Sequence, residues 1–333
     1  MEKNVSSPLR CTELLQRFEE KEALTMGEEL RFLGVDGRDV YNITAPFEIS
    51  FGIGHDERII TVIAGRVEKR GDKAKSQIVF FEENEKGEWT PVAGAQPFPL
   101  EDGFVTRIKD EIIFGGVSAY PQPTETDPNN VGYKTVFYRG TNLSSLKENQ
   151  FATGPEKMKD IRLVGPLKNG KIGVFTRPQG DIGGKGKIGY LEIDRLEDLD
   201  NPEIMKNAKI IENQFATGEW GGANDLHLLS DGRIEVIGHI AYQDEPDTEG
   251  KEGAKHYYAM SFIYDPSNHT ATPIEIIATI KNFPEGEAKT PQHKDVIFPS
   301  SLLRHGDGTG TLYVGLGDAR AGKLERPAPL TKN

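Results

Sequence analysis

Apolar and polar positions along this chain follow a phrase that recurs five times, about every 60 residues. Each copy opens with Asn or Asp, runs through an apolar stretch to a turn, and returns through a second apolar stretch that ends at a polar residue. The openers are Asn42, Asp102, Asp160, Asp225 and Asp295, with gaps of 60, 58, 65 and 70 residues. The turns are Asp56-Glu57, Lys109-Asp110, Asn169-Gly170, Asp231-Gly232 and Asp307-Gly308. A strand-built period of this length predicts a radial array with a site on its axis.

Short β-rich runs account for most of the chain between its turns. Grouped in order, they predict five units of three or four strands, and therefore an all-β fold, a five-bladed β-propeller with a short N-terminal helix. A pair of two-sheet sandwiches without radial closure is the alternative, and the even spacing of the units favours the propeller. The clearest predicted strands are Ile59–Ala64, Gln77–Phe81, Glu111–Val117, Thr135–Tyr138, Ile172–Thr176, Ile188–Ile193, Ile234–Ile240, Tyr257–Tyr264 and Leu312–Leu316.

Two stretches follow a helical rather than a strand pattern. Residues 8–24 predict a helix with one apolar face, and a second short helix is predicted within Arg195–Ala208. The apolar face of the first helix comprises Leu9, Leu14, Leu15 and Phe18. We therefore divide the chain into an N-terminal helical extension, residues 1–28, and a propeller domain, residues 29–333.

Composition agrees with a protein in which many turns join short strands. Hydrophobic residues make up 36% of the 333 residues, and the chain contains 37 Gly and 20 Pro. The net charge of −12 argues against a nucleic-acid or anionic-membrane surface, although a few local cations could still hold a small anion. With Cys11 as the only cysteine, no long apolar run and no evident signal peptide, we expect a cytoplasmic protein. Its oligomeric state stays open, and a homo-oligomer formed through the N-terminal helix is one outcome.

Hairpin geometry predicts which polar residues meet. The second strand of a hairpin returns antiparallel to the first, so the residue that ends it should lie near the opener. The predicted pairs are Asn42 with Arg66, Asp160 with Arg177, Asp225 with His239, and Asp295 with Asp318. In a propeller these pairs would surround one mouth of the central channel. Acids, amides and cations converging there are typical of a sugar or phosphate site.

The first three units supply the candidate catalytic acid and cations. Asp102 is the candidate general acid, provided that burial raises the pKa of its carboxyl; Asp-Gly is also a common turn pair, so turn capping is the alternative. Lys159 and Arg177 could bind an oxyanion, and Arg66 is a third cation of the same kind. The alternatives are a local pair of Arg66 with Glu68 and a structural pair of Arg177 with its own opener. Together the three cations would form a phosphate clamp in an acidic protein.

The last two units supply candidate sugar contacts. Trp220 could stack on a sugar ring, and Asn224 or Asp225 could bond its hydroxyl groups. His239 follows an apolar strand, where a buried core histidine is the alternative to a ligand. Asp318 ends the last hairpin and completes the ring of acids. The histidines form no recognisable metal motif and the chain has no second cysteine, so we expect no metal centre.

The ordered phrases of this chain resemble a known family. They are GRVE, ED, KD followed by R-P, WGGAND followed by GH, and DVIFP followed by GLGD, and they run from about Asn42 to Asp318. In this order and spacing they resemble the five-bladed β-mannoside phosphorylases of glycoside hydrolase family one hundred and thirty. The resemblance is closer to the relatives of that family, the mannosyltransferase/phosphorylases of protozoa and bacteria once filed as a domain of unknown function.

The resemblance implies inverting phosphorolysis of a β-mannoside to α-mannose 1-phosphate, and the reverse synthesis, with phosphate as co-substrate and no cofactor. It places the general acid on Asp102, acting through a sugar hydroxyl. It places phosphate or sugar ligands at Arg66, Lys159, Arg177, His239 and Tyr242, and sugar-hydroxyl contacts at Asn42, Asp160, Asp225 and Asp318. One departure concerns the ED phrase, which the family usually continues with Pro and Arg, whereas this chain has Gly103 and Phe104. One expected cation is therefore missing unless Arg107 or another residue replaces it.

Three functions remain to be compared. The first is a phosphorylase or mannosyltransferase acting on β-mannosides, with β-1,2-linked manno-oligosaccharides and phosphate or mannose 1-phosphate as its small-molecule partners. The second is a glycoside hydrolase, which needs a second carboxylate across the sugar from Asp102, and Asp160, Asp225 and Asp318 are its candidates. The third is a non-catalytic carbohydrate-binding propeller, in which Asp102 would be a turn residue and the cations would be dispersed.

Overall fold

Strands dominate the structure, a computed structural model that describes residues 7–21, 24–125 and 127–326. The predicted all-β class is confirmed. The α-helices are α1, Cys11–Lys21, α2, Leu143–Leu146, α3, Gly180–Gly183, and α4, Pro202–Lys206. Single 3₁₀ turns lie at Gly54–Asp56, Leu196–Asp200, Ile280–Asn282 and Pro291–His293. Within the described residues, none of the helices has the length and apolar character required to cross a membrane.

Both predicted helical stretches contain helix. The first forms α1, although residues 22–23 of its predicted span lie outside the described residues. Cys11 and Leu14 of α1 are buried, and the rest of the predicted apolar face packs against the same core through Leu9, Leu15 and Phe18. The second stretch is divided between a 3₁₀ turn and α4, because the side chain of Asn201 accepts a hydrogen bond from the amide of Glu203 and caps α4.

The first sheet follows directly from the first repeat unit. Its strands are β2, Asp39–Tyr41, β3, Phe47–Phe51, β4, Arg58–Lys69, β5, Asp72–Glu83, and β6, Trp89–Pro91. The preceding strand β1, Glu28–Glu29, belongs to a different sheet. Strands β2, β4, β5 and β6 pair antiparallel in that order, and β3 also pairs with β4. Val62, Ile63 and Ala64 of β4 are fully buried, which explains why this run reads as continuously apolar.

The second and third units each form a four-stranded antiparallel sheet. The second contains β7, Glu101–Ile108, β8, Glu111–Pro121, β9, Val131–Gly140, and β10, Gln150–Thr153. The third contains β11, Arg162–Val164, β12, Ile172–Thr176, β13, Gly189–Ile193, and β14, Lys209–Ile210. In both sheets consecutive strands are neighbours, as short turns require.

The fourth and fifth units are joined into one nine-stranded sheet. Its strands are β15, Trp220–Leu228, β16, Ile234–Gln243, β17, Lys255–Asp265, β18, Thr270–Ala271, β19, Glu275–Ala278, β20, Asp295–Arg304, β21, Gly310–Leu316, and β22, Arg320–Arg326, together with β1. The two units meet where β17 and β20 pair in parallel over two residues each. Strand β1 pairs antiparallel with β22, so the N-terminal part of the chain completes the last unit.

Successive units touch in a closed order. Strand β7 contacts β4 and β11, β15 contacts β11 and β20, and β2 contacts β21 and β22, so the last unit returns to the first. The five predicted turns all lie between paired strands. Because hydrogen bonds group these units into four sheets, the count of five blades stays a prediction. The closed order brings the polar residues at one end of the strands into a common region.

Candidate active site

Left-handed backbone marks four residues that the repeat singles out. Asn42, Asp102, Asp160 and Asp318 have φ angles of 48°, 49°, 58° and 53°. Asn and Asp tolerate this conformation better than other non-glycine residues, because their short polar side chains can hydrogen-bond locally. The first three are also buried. The recurrence of Asn or Asp at these positions therefore has a backbone cause as well as a chemical one.

Arg66 is the centre of a group that we call the acidic cluster, formed by Arg66, Glu68, Glu101, Asp102 and Asn42. The Nη1 atom of Arg66 lies 3.0 Å from Asp102 Oδ1, and its Nη2 atom lies 2.7 Å from Glu68 Oε2 and 3.2 Å from Glu101 Oε1. Asn42 Nδ2 donates to Asp102 Oδ1 over 2.8 Å. The predicted convergence of Asn42 and Arg66 is confirmed, since both bind the same carboxylate. The local pair of Arg66 with Glu68 forms as well.

A second cation balances the most deeply buried carboxylate of the acidic cluster. Lys289 forms an ion pair with Glu68 and donates to the hydroxyl of Tyr41 over 3.2 Å. That hydroxyl in turn donates to Glu68 Oε2 over 2.9 Å. A buried carboxylate needs such partners, because an unpaired charge in the interior is strongly destabilising. Lys289 lies 221 residues from Glu68 along the chain, so no local pattern could have indicated it.

The pKa values of the Glu101 and Asp102 carboxyls are shifted in opposite directions. Burial alone would raise the pKa of Asp102, but the charges of Arg66 and Lys159 and the hydrogen bonds from Asn42 and Arg66 hold it well below its usual range. Burial and the charge of Asp102 raise the pKa of Glu101, against the opposing charges of Arg66 and Lys159. The condition that burial raises the pKa of Asp102 is therefore not met, because the neighbouring cations outweigh the effect of burial.

A second group, which we call the basic cluster, comprises Asp160, Arg162, Arg177, Asn224 and His239. Arg177 Nη1 lies 3.1 Å from Asp160 Oδ2, and Arg162 Nη2 lies 3.8 Å from Asp160 Oδ1. Arg162 Nε donates to the carbonyl oxygen of Asn224 over 2.8 Å. The predicted pair of Asp160 and Arg177 is confirmed. One buried carboxylate here faces two guanidinium groups, the inverse of the acidic cluster.

Glycines pack closely around the side chain of Arg177. Arg177 Nε donates to the carbonyl oxygen of Gly221 over 2.8 Å. A Cβ added to Gly222 would lie 2.9 Å from Arg177 Cδ and 2.9 Å from His239 Cε1. A Cβ on Gly186 would lie 2.7 Å from Arg177 Nε. These positions hold Arg177 closely because they carry no side chain.

His239 is a neutral imidazole in this environment. Burial and the charge of Arg177 lower the pKa of His239 to about 3. Its Nδ1 atom lies 2.8 Å from Asn224 Oδ1, and since an amide oxygen accepts, Nδ1 carries the proton. Its Nε2 atom is then an acceptor, which suits a sugar hydroxyl or the hydroxyl of a protonated phosphate. His239 is thus buried, as the core alternative expected, and also bonded into the basic cluster.

The charge of Lys159 acts on both clusters. The lysine is half-buried, and no hydrogen bond or ion pair joins its ammonium group to another described residue. Its charge nevertheless contributes to the lowered pKa of both Asp102 and Asp160. A cation close to both clusters but fixed by neither is well suited to a bound anion.

A cation from another unit lies beside Phe104, which stands where the family usually has Arg after the ED phrase. The guanidinium of Arg162 lies over the ring of Phe104, 4.3 Å from its centroid. Arg107 does not take that place, because it lies near the opposite end of β7 and its Nη2 atom donates to the carbonyl oxygen of Glu48 over 3.2 Å. The cation that accompanies Phe104 therefore comes from the third unit.

The predicted pair of Asp225 with His239 is wrong. A β-bulge between Ala223 and Asp225 shifts the register of β15, so His239 meets Asn224 rather than Asp225. Asp225 instead accepts hydrogen bonds from Ser301 Oγ over 3.0 Å and from the amide of Leu302 over 2.8 Å. These contacts tie the fourth unit to the fifth.

Asp295 and Asp318 lie at the same end of their hairpin, since Ile297 pairs with Leu316 and the amide of Gly317 donates to the carbonyl oxygen of Val296, but no contact joins their carboxylates among the described residues. Asp295 Oδ2 accepts from the hydroxyl of Tyr258 over 2.6 Å and lies 2.7 Å from His256 Nδ1. Asp318 Oδ2 lies 3.8 Å from His293 Nε2. The two carboxylates have separate cationic or hydroxyl partners, as like charges require.

Two predicted aromatic or hydroxyl ligands are held by other residues. Trp220 is 6% exposed, its indole N–H donates to the hydroxyl of Tyr257 over 3.1 Å, and the ammonium of Lys185 lies 4.6 Å from its ring centroid. Tyr242 stacks on His256 with ring centroids 4.4 Å apart. Among the described residues, no recorded contact joins Tyr242 to either cluster. Trp220 consequently has little free ring surface for a sugar.

Two buried polar atoms of the clusters lack partners among the described residues. They are Asn42 Oδ1 and Asn224 Nδ2. Buried polar atoms are nearly always hydrogen-bonded in folded proteins, so these atoms suit a bound polar molecule. Across the same described residues, no group of three His, Cys, Asp or Glu side chains is placed to hold a metal ion.

The geometry brings one buried carboxylate, Asp102, close to a group of buried guanidinium cations. The family model described as a protein of unknown function, DUF1861, matches residues 16–332, and the chain belongs to this family. No curated protein sequence matches the chain significantly.

Solved structures extend the comparison. MPT-4, a mannose phosphorylase from Leishmania mexicana solved with phosphate ion, is 35% identical, with a TM-score of 0.79, over 95% of this chain and 92% of that one. MPT-1, a GDP-Man-dependent mannosyltransferase from Leishmania mexicana, is 34% identical, with a TM-score of 0.80, over 96% of both chains. A β-1,2-mannobiose phosphorylase from Listeria innocua, 13% identical over 87% of this chain and 90% of that one, shares the fold with a TM-score of 0.53. The resemblance inferred from the ordered phrases is confirmed.

Proposed function

We propose that this chain is an inverting glycoside phosphorylase or mannosyltransferase that acts on β-mannosides, with β-1,2-linked manno-oligosaccharides as the preferred class. The proposal includes a five-bladed propeller of residues 29–333, with residues 1–28 as an extension. One observation carries it: the buried carboxylate of Asp102 and the guanidinium groups around Asp160 lie on neighbouring units, which meet where Arg162 packs over the ring of Phe104. The phosphorylase and mannosyltransferase relatives from Leishmania mexicana support the same class.

Phosphorolysis suits the division of charge between the clusters. Asp102, as a carboxylate, would accept a hydrogen bond from a sugar hydroxyl and stabilise the positive charge that develops at the anomeric carbon. Phosphate would attack that carbon from the opposite face, held by Lys159 and Arg177 with His239 as a further ligand. Arg66 would act mainly by fixing Asp102, since its three nitrogens already donate to protein atoms. Inorganic phosphate is the only co-reactant needed.

The sugar would be held chiefly by side chains already ordered in the two clusters. Asn42 and Asn224 each offer a buried amide atom without a protein partner, and Asp160 and Asp318 are further hydroxyl acceptors. Asp225 contributes less directly in this arrangement, because its oxygens are bonded within the protein. Trp220 would form part of the wall rather than a stacking platform.

Two of the three candidates for the second carboxylate of a hydrolase are already bound within the protein. Asp160 is bound by two guanidinium groups, so its basicity is low. Asp225 accepts hydrogen bonds from the fifth unit and faces His227 at 3.2 Å. A water-activating base would have to be Asp318, which stands at the edge of the group. A non-catalytic role is disfavoured by the convergence of the cations, which it requires to be dispersed.

Phosphate dependence tests the proposal. Incubating the protein with β-1,2-mannobiose and inorganic phosphate should release mannose 1-phosphate, and omitting phosphate should abolish breakdown. In the reverse direction, mannose 1-phosphate with mannose or mannobiose should give longer oligosaccharides. Release of free mannose at the same rate without phosphate would establish the hydrolase instead.

A further inference from the structure

The connection between the third and fourth units buries an amide that has no partner. Gln214 lies between β14 and β15, and its side chain belongs to a residue that is only 7% exposed. Both its Oε1 and Nε2 atoms lack hydrogen-bond partners among the described residues. Buried polar atoms are nearly always hydrogen-bonded, because burying an amide without partners is destabilising. The amide of Gln214 is therefore suited to a bound polar molecule.

The connection is fixed on both sides of Gln214. Before it, the amide of Ile211 donates to a carbonyl oxygen of the third unit over 2.9 Å. After it, Glu219 accepts from the amide of Ala216 over 3.3 Å and from the amide of Cys11 over 2.8 Å. The second of these contacts ties the connection to the N-terminus of α1. The position of the Gln214 side chain is thus set by the fold rather than by a loose loop.

Two cavities share Gln214 in their lining, and together they form what we call the Gln214 groove. The larger cavity, about 740 Å³, lies between α1, the connection and the region of β18. The smaller cavity, about 560 Å³, lies on the side of Lys187. Residues 7–8 and 210–214 line both cavities. Sites for small molecules commonly have volumes of about 300–1,000 Å³, so the groove has the size of a ligand site.

The inner wall of the larger cavity is apolar. Leu14, Ile211 and Ile274 are buried there, and Leu9 and Ala271 pack against the same core, whereas exposed polar residues line the outer part. A sugar would leave most of its hydroxyl groups without partners against this wall. An amide presents one donor and one acceptor side by side. The edge of a nucleobase offers the complementary donor and acceptor on a flat ring.

Cations are placed at the rim of both cavities. Arg17 lines the larger cavity, and Arg10 and Lys187 line the smaller one. Within the described part of the chain, none of these three side chains has a recorded ion pair. Glu13 and Glu212 are the acids of the same lining, so three cations face two carboxylates. Guanidinium and ammonium groups are the usual partners of a phosphate group.

We propose that the Gln214 groove binds a nucleoside monophosphate, with the edge of the base on the Gln214 amide and the phosphate at the cationic rim. The apolar inner wall covers the faces of the base, and the amide reads its edge. None of the described residues that line the groove belongs to the acidic or the basic cluster. The site is therefore separate from the one proposed for phosphorolysis and does not depend on that function.

Calorimetric titration of the full chain tests this site. The ligands are AMP, GMP, CMP and UMP, with ribose 5-phosphate as the control that lacks a base. Gln214→Leu keeps the approximate size of the side chain and removes the amide, and Gln150→Leu is the same change at an exposed position in the second unit. A variant with Arg10, Arg17 and Lys187 all replaced by Gln tests the rim, where exposed side chains can change without loss of the fold.

We expect saturable binding of at least one nucleoside monophosphate to the wild type and to Gln150→Leu, and no saturable binding of ribose 5-phosphate. Gln214→Leu and the rim variant should each weaken that binding about 10-fold or more. Unliganded Gln214→Leu should unfold at the wild-type temperature or above it, because an apolar group replaces an amide without partners.

Three results would overturn the proposal. The first is the absence of saturable binding for all four nucleotides, and the second is equal affinity for ribose 5-phosphate or for Gln214→Leu. The third is a markedly lower unfolding temperature of unliganded Gln214→Leu, which would show that the amide already has a partner in the free protein.

Discussion

The acidic and basic clusters are built by the same local device and carry opposite charge patterns. In each, an Asp with left-handed backbone opens a strand, and an Arg at the end of a following or neighbouring hairpin binds it. Around Arg66 one guanidinium serves three carboxylates, whereas around Asp160 one carboxylate serves two guanidinium groups. The same backbone arrangement therefore occurs in an acidic cluster suited to proton transfer and in a basic cluster suited to binding an anion.

The contrast explains why the two openers are not interchangeable. Asp102 is fixed by Asn42 and Arg66 and still has an accessible acid, Glu101, beside it. Asp160 is enclosed by Arg162 and Arg177 and functions as their counter-charge. Replacing Asp102 should therefore mainly reduce catalytic activity, whereas replacing Asp160 should mainly reduce the stability of the fold.

The largest effect is expected from Asp102→Asn. The amide keeps the size of the side chain and removes the charge that would stabilise the transition state, so we expect kcat on β-1,2-mannobiose with phosphate to fall by about 10³-fold. Unfolding by urea should remain cooperative, which separates catalysis from stability. Wild-type turnover in this variant would remove Asp102 from the catalytic machinery.

Asp160→Ala should act mainly on stability. It leaves two buried guanidinium groups without their shared carboxylate, and breaking a buried pair in this way costs about 3–5 kcal/mol. The free energy of unfolding from urea denaturation measures this loss. Glu203→Ala is the matched control, since its ion pair with Lys206 is exposed and should contribute little. A similar stability for both variants would contradict the inverse roles of the two clusters.

Gly222→Ala should disturb the basic cluster without touching the acidic one. The added methyl would lie 2.9 Å from both Arg177 Cδ and His239 Cε1, so the two side chains must move. Misplacement on this scale can cost about 100-fold in rate. We expect a weaker apparent affinity for phosphate, measured by calorimetry and as KM. Gly232→Ala, at a turn outside both clusters, tests whether any glycine substitution gives the same result.

Asp160 and Glu101 should contribute to the pH dependence of stability with opposite sign. The pKa of Asp160 is lowered by Arg177, so its contribution is present above the unfolded pKa of about 3.9 and is lost as pH falls through the folded pKa. The pKa of Glu101 is raised by burial, so ionising it costs stability as pH rises above about 4.3. Asp160→Asn should therefore be less stable than wild type at pH 7, with a deficit that shrinks in acid.

Glu101→Gln should show the reverse, a gain at pH 7 that vanishes in acid. Urea unfolding of both variants and of wild type between pH 3 and pH 7 measures the two trends. Parallel trends in the two variants would mean that Glu101 and Asp160 have the same electrostatic environment.

Local pattern was sufficient for the repeat, its turns and two of the four opener pairs. The alternation of apolar runs and turns fixes which strands neighbour each other, because short connections leave no other choice. It failed at Asp225, because a bulge after Ala223 moves one residue out of register and gives its place to Asn224. A bulge leaves little trace in the sequence of a strand.

Three further residues of the two clusters were not predicted from the sequence, each for its own reason. Glu101 was overlooked because the two-residue period of a strand places it opposite Asp102, and only the left-handed backbone at Asp102 overrides that rule. Arg162 stands two residues after Asp160 and could have been found by asking which cation accompanies Phe104. Lys289 reaches Glu68 across the closed order of units, and contacts of that separation carry no local sequence signal.

The most direct test of the central claim is proton NMR of the products formed from β-1,2-mannobiose in phosphate buffer. If the acidic cluster protonates the leaving oxygen while the basic cluster presents phosphate from the opposite face, the first product is α-mannose 1-phosphate, in equal amount to mannose. Formation of free mannose in place of mannose 1-phosphate, or of the β anomer of the phosphate, would contradict it.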